Sequence, residues 1–218
     1  MSEAVISMLW QGVQESLYMT IFATLFGYLL GLPMGVLLSV TDQGGLSPNR
    51  VVYRVLDVIA NVVRSTPFLI LLILIIPVTK AIVGKSYGPT ATIVPLVIAA
   101  APFIARMVEG SLKEVDAGVI EAAQSMGATT FQIIWKVLLV EARTSLITGA
   151  TIALGTILGY SAMAGAVGGG GLGDIAIQYG YYRYETDIMI VTVLLLILLF
   201  QVFQMAGNAI AGRLDKRK

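Results

Sequence analysis

The chain has 218 residues, 57% of them hydrophobic and only 12% charged, with a mean hydropathy of +0.86. Soluble domains carry about 25% charged residues, so an ordinary water-facing fold is excluded and the surplus apolar surface must meet lipid. A net charge of +1 offers no basic excess for nucleic acid, and the absence of Cys and His removes disulfides, thiolate or imidazole metal sites and Ser-His catalysis.

In chain order, Met1 to Glu15 carries Glu3 and Glu15 but no Lys or Arg, the wrong charge for a cleavable signal. Val5, Ile6, Leu9, Trp10 and Val13 fall near one helical face, so this arm is expected along the outer membrane surface. Ser16 to Thr41 is free of charge and exceeds the roughly 20 apolar residues that cross a bilayer. Inside it Gly27, Gly31 and Gly35 have the small-xxx-small spacing that lets helix backbones approach closely, with Pro33 among them. The next span is less tidy. Ser65 to Thr79 is short alone and gains length from Val58 to Val63 and Ala81 to Val83, with Arg64 and Lys80 reaching to the interfaces. Ser86 to Ala105, Thr144 to Gly173 and Ile188 to Gly212 complete five expected spans, with Pro67, Pro77, Pro95 and Pro102 as kinks or ends and Gly155 and Gly159 repeating the glycine spacing. Gly168 to Gly171 reads as a flexible outer turn or a close approach to a neighbour, and Tyr179, Tyr181, Tyr182 and Tyr184 as an interfacial anchor or a contact for an external protein.

Lys and Arg fall unevenly between the two sides of such a plan. Arg50, Arg54, Arg64, Arg106, Lys113, Lys136, Arg143, Arg213, Lys216, Arg217 and Lys218 share one side, against Lys80, Lys85 and Arg183 on the other. Cytoplasmic loops hold the positive excess, so the N-terminus is expected outside and the C-terminus in the cytoplasm.

Arg106 to Arg143 is the longest polar connection. Val119, Ile120, Ala123 and Met126 have helical spacing, Gly127 follows as a stop, and Thr129 or Thr130 can cap a second helix through Phe131, Ile134 and Leu138. A short helix ending in glycine is a shape a partner protein can grip, and equally an amphipathic helix resting on the bilayer.

Glu121-Ala122-Ala123-Gln124-Ser125-Met126-Gly127 resembles the EAA-x-x-x-G signature of ATP-binding-cassette importer permeases. In that family the segment forms the coupling helix that docks on the ATPase. The family pattern continues after nine residues as Ile-x-Leu-Pro; here Val137, Leu138, Leu139 and Val140 hold those places, so the proline is missing. Asn61 to Phe68, Ala100 to Glu109, Gly159 to Gly165 and Gly168 to Ala176 further resemble the methionine-importer permease subfamily, over essentially the whole chain. The resemblance implies one all-α integral membrane permease domain over 1–218, of the type I importer fold with five transmembrane helices, N-out and C-in, in the bacterial cytoplasmic (inner) membrane. It implies coupling through Glu121, Ala122, Ala123, Gln124, Met126 and Gly127, within a region of about 116–128. Implied partners are a second copy, two ATPase subunits that use ATP-Mg, and an external substrate-binding protein.

The chain has no nucleotide site of its own. Gly84-Lys85-Ser86 looks like the end of a phosphate loop, but Thr79 stands where the first glycine belongs, and no cofactor is expected in this chain. Tyr160, Ser161 and Met163 bring a phenol, a hydroxyl and a thioether into the fourth span as candidate substrate contacts, or as packing between helices. A secondary transporter or channel is the alternative function, but such proteins keep ionisable groups at membrane depth and the four charge-free spans offer none. An intramembrane hydrolase would need a Ser-Lys or two-Asp pair, and neither is visible.

Overall fold

The computed structural model of the chain describes residues 3–214, so the tail cations Lys216, Arg217 and Lys218 counted above lie outside the described residues. Among the described residues every regular element is helical: α1 (Glu3–Thr41), α2 (Arg50–Ser65), α3 (Phe68–Leu74), α4 (Ile76–Val83), α5 (Pro89–Lys113), α6 (Ala117–Ser125), α7 (Thr130–Ile133), α8 (Leu139–Glu141), α9 (Arg143–Ala164), α10 (Gly171–Ile175) and α11 (Thr186–Leu214). Of these α1, α5, α9 and α11 are long and apolar enough to cross a membrane, and α2 with α3 passes the same test as a bent pair, a fifth, broken crossing or a re-entrant loop.

The N-terminal arm is not a separate surface helix. It runs straight into the first span as α1, whose 39 residues make about 58 Å, far more than the ~30 Å of a hydrocarbon core. No Pro or positive-φ Gly interrupts it there, and its inner side is held: Leu9 packs with Ile175 and Ile188, and Ser16 Oγ accepts the Leu172 N–H at 2.9 Å. Trp10 and Ile6 stay exposed on the other side.

α1 lies along α5, and the glycine stripe is the reason they fit. A Cβ at Gly31 would sit 2.6 Å from the Ala101 carbonyl oxygen, and one at Gly35 only 2.5 Å from that of Ala105. Lipid supplies no hydrophobic drive for such a seam, so backbone proximity and dispersion must hold it. The Gly155 and Gly159 pair is used only in part: Phe200 of α11 fills the space over Gly155, whereas Gly159 has nothing within 4 Å. Leu25, Leu29 and Leu30 of α1 and Leu194, Ile197 and Leu198 of α11 point outward, as lipid-facing residues do.

The second span departs from its expected course. Val58 to Val63 adjoin it but do not continue it straight; these residues belong to α2, which meets α3 at 104°. Thr66 is extended, as the residue before a proline prefers, and Pro67 then opens α3. The apolar run was the exposed stripe of an amphipathic helix, Val51, Val55, Val58 and Val62, with Asn49 capping the start by accepting from the N–H groups of Val51 and Val52. The third span likewise runs beyond Ala105 to Lys113, taking Arg106, Glu109 and Lys113 into its last turns. The fourth stops early. α9 ends at Ala164, and Gly168, Gly170 and Gly171, all at positive φ, fold the chain back past the start of α5 into α10, which packs against α1 and α9. That segment is both a turn and a close approach: the Glu15 carboxylate accepts the Gly171 N–H at 2.7 Å, and Gly88 donates to the Gly168 carbonyl at 2.9 Å.

Candidate coupling helix and pathway face

α6 is built by its two ends. The Asp116 carboxylate accepts the Gly118 N–H at 2.8 Å and caps the start. At the other end the Ala128 N–H returns to the Ala123 carbonyl and the Gly127 N–H to that of Gln124, the paired bonds of a Schellman stop, with Gly127 at φ +78. Thr129, rather than Thr130, then starts α7 in a capping box with Gln132. The chain continues through a π turn, Ile134–Leu138, into α8, so at Val140, where the family pattern has proline, it stays helical until Ala142.

The signature residues divide between two faces. Glu121, Ala122, Gln124 and Met126 are exposed, Met126 at 82%, together with Phe131 and Trp135 beyond them. Ala123 is 5% exposed and packs inward with Leu112, Ile133 and Leu138, so it seats α6 on the body of the subunit and offers no side chain outward. Small size matters at Ala123 because it fits beneath the helix.

Charges that sequence reading placed in a polar connection form one network here. Glu109, 5% exposed, accepts from Arg106 Nη1 at 2.8 Å and from Lys113 Nζ at 2.8 Å. Arg106 Nη2 also reaches Asp57 and Asn61 of α2, and Lys113 donates to Asp42 at 2.7 Å, just past α1. The Lys113 hydrogen bond holds the Asp42 carboxyl below its usual range. The i, i+3 and i+7 spacing of Arg106, Glu109 and Lys113 was the available signal, while their partners lie far away in sequence.

The pathway candidates also separate. Tyr160 stacks on Phe68 of α3, ring centroids 4.6 Å apart and planes 4° apart. Met163 is about half exposed on the same side of α9, a face it shares with Ile152, Thr156 and Gly159. Ser161 is buried and donates to the Leu158 carbonyl at 2.8 Å, away from that face. At the opposite end of the subunit Tyr181, Tyr182 and Tyr184 are exposed, whereas Tyr179 packs against Leu9 and Ile188 with the Arg183 guanidinium 4.4 Å over its ring. Gly84 is the left-handed cap that ends α4, with no strand before it, and not part of a phosphate loop.

A family model described as the inner membrane component of binding-protein-dependent transport systems matches residues 27–218, a stretch that takes in the broken crossing, α6 and α9. The chain belongs to that family. A probable D-methionine transport system permease protein MetI of Vibrio cholerae is 51% identical over 216 residues, covering 99% of this chain and 94% of the relative. The methionine import system permease protein MetP of Bacillus subtilis is 46% identical over 209 residues, covering 96% and 94%. A solved structure of inward facing conformations of the MetNI methionine ABC transporter superposes with a TM-score of 0.97 at 50% identity, over 99% of this chain and 100% of that one. A histidine-bound amino acid ABC transporter shares the fold, with a TM-score of 0.77 at 21% identity. The expected importer-permease family and fold are thus borne out, and this member of the family is a multi-pass inner-membrane permease component.

Proposed function

We propose that the chain is the permease subunit of an ATP-driven methionine importer. Two copies form the path, two separate ATPase subunits hydrolyse ATP-Mg, and an external binding protein delivers substrate. The observation that carries the coupling role is α6: a helix fixed at both ends, presenting Glu121, Ala122, Gln124 and Met126 outward from the end of the subunit richest in Arg and Lys. Methionine as substrate is supported by the names of relatives about half identical over nearly the full length.

The work cycle is alternating access, with ATP binding favouring the outward-open arrangement and hydrolysis returning the inward one. A carboxylate at Glu121 and amide at Gln124 can hydrogen-bond within an ATPase groove, and Met126 can fill an apolar part of it. Tyr160 and Met163, a phenol and a polarizable thioether on one face of α9, suit a path for a thioether amino acid. The charge bias places the N-terminus outside, and a maleimide impermeant to the membrane is expected to label Tyr184→Cys but not Gln124→Cys in intact cells.

The test of coupling uses the second of these variants. Gln124→Cys should cross-link to cysteines in the ATPase cleft, and the purified chain without ATPase should hydrolyse no ATP. Failure of every cleft position to cross-link in an assembled complex would leave α6 as a helix resting on the bilayer.

A further inference from the structure

The charged network at the end of α5 joins the segment next to α6 with the broken crossing. Lys113 is the last residue of α5, and only Glu114, Val115 and Asp116 separate it from α6. Arg106, two turns back, holds α2 through Asp57 and Asn61, and α2 leads through the Pro67 bend to Phe68, which is stacked on Tyr160 of the pathway face. Glu109 lies between the two cations and is bonded to both. A single buried carboxylate thus balances two cations that reach out to different elements, α2 on one side and the end of α1 on the other. Lys113 also stands 5.9 Å over the Tyr53 ring of α2, which adds a second hold on that helix.

We propose that Glu109 is a positioning residue for transport: through Arg106 and Lys113 it locks α2 and the end of α1 to the end of α5, so that movement of α6 is carried to Phe68 and the pathway face. α2 needs such a lock. Its apolar stripe faces away from the rest of the subunit, its cap is local, and only Ala60 among its residues is fully buried, so packing alone holds it weakly. Charge-assisted hydrogen bonds in partly desolvated surroundings supply a directional hold that a greasy contact does not. Loss of the lock leaves α6 able to dock and the ATPase able to turn over, while the broken crossing no longer follows.

The proposal rests on the importer reading, and the experiment separates the two. The complete complex, with ATPase and binding protein, is reconstituted in vesicles, and methionine uptake and ATP hydrolysis are measured together. In Glu109→Gln, and in Asp57→Asn, which takes the charge out of the link to α2 alone, uptake per ATP is expected to fall about tenfold, a coupling loss of usual size, while ATPase association persists. Asp57→Glu, which keeps a carboxylate facing Arg106, should retain most of the ratio that Asp57→Asn loses. If Glu109→Gln does not assemble, Asp57→Asn and Asp57→Glu decide. Uptake per ATP at the wild-type value in Asp57→Asn, or Asp57→Glu no better than Asp57→Asn, overturns the lock. Absence of ATP-dependent uptake in the wild-type complex overturns the importer reading itself.

Discussion

Gly127 stands at φ +78 with nothing within 4 Å of where a Cβ would be. A substitution there meets no neighbour, so its cost is that of the backbone and should follow conformational preference rather than size. Asn enters the left-handed region readily, Ala costs roughly 1–2 kcal/mol, and Val, branched at Cβ, costs more. A strain of about 1–2 kcal/mol changes a two-state ratio by about 5–30-fold. If the end of α6 unwinds to relieve it, Gln124 and Met126 leave their places and the ATPase should bind about 5–30-fold more weakly to Gly127→Ala. Gly127→Asn should remain near wild type and Gly127→Val should be weakest. Equilibrium binding of the detergent-solubilised permease to its purified ATPase, at matched amounts of folded protein, gives the order directly. Membrane insertion should be unchanged in all three, because α6 lies outside the spans. Wild-type binding by Gly127→Val would refute the claim that this helix stop shapes the docking surface.

Four further outcomes are expected. Gly35→Ala should destabilise the chain by about 1–3 kcal/mol through overpacking of the α1–α5 seam, whereas Gly159→Ala, in open space, should be neutral or stabilising; detergent-based thermal unfolding compares them. Burial, aided by the nearby Glu15 charge and opposed by a Gln178 hydrogen bond, raises the Asp174 carboxyl above its usual range. A raised acid favours folding at low pH and becomes a cost as pH rises, so Asp174→Asn should unfold at a higher temperature than wild type at about pH 7, with the gap closing towards about pH 4; a variant less stable at every pH would contradict this. Ser161→Ala should leave uptake close to wild type because its hydroxyl serves its own helix. Tyr160→Leu should lose roughly 0.5–1.5 kcal/mol of stacking with Phe68 and lower uptake, read from initial rates.

Charge-free runs made four of the spans legible, since a bilayer excludes unpaired charges more strictly than any local propensity dictates helix. The ends were less legible for the same reason. Arg106, Glu109 and Lys113 were taken to lie beyond the span, yet each has a partner that lets the helix continue, and Asp57 and Asp42 lie 49 and 71 residues away from the cations they meet. At α2 the bend was the illegible part, although Arg50, Arg54, Asp57, Asn61 and Arg64 recur at helical spacing opposite the valines, the pattern of an amphipathic helix. The N-terminal arm carries no sign of where Glu15 and Ser16 find the N–H groups of Gly171 and Leu172. The stop at Gly127 could be foreseen from residue chemistry, but the inward direction of Ala123 could not, because it depends on where Ile133 and Leu138 come to rest.

ATP-dependent uptake by the reconstituted system is the most direct measurement of the central claim. Vesicles containing this chain, its ATPase and the binding protein should accumulate labelled methionine only when ATP is supplied on the ATPase side, and omission of any one protein should abolish accumulation. Accumulation by this chain alone, driven by an ion gradient without ATPase or ATP, would contradict the account and make the protein a secondary transporter.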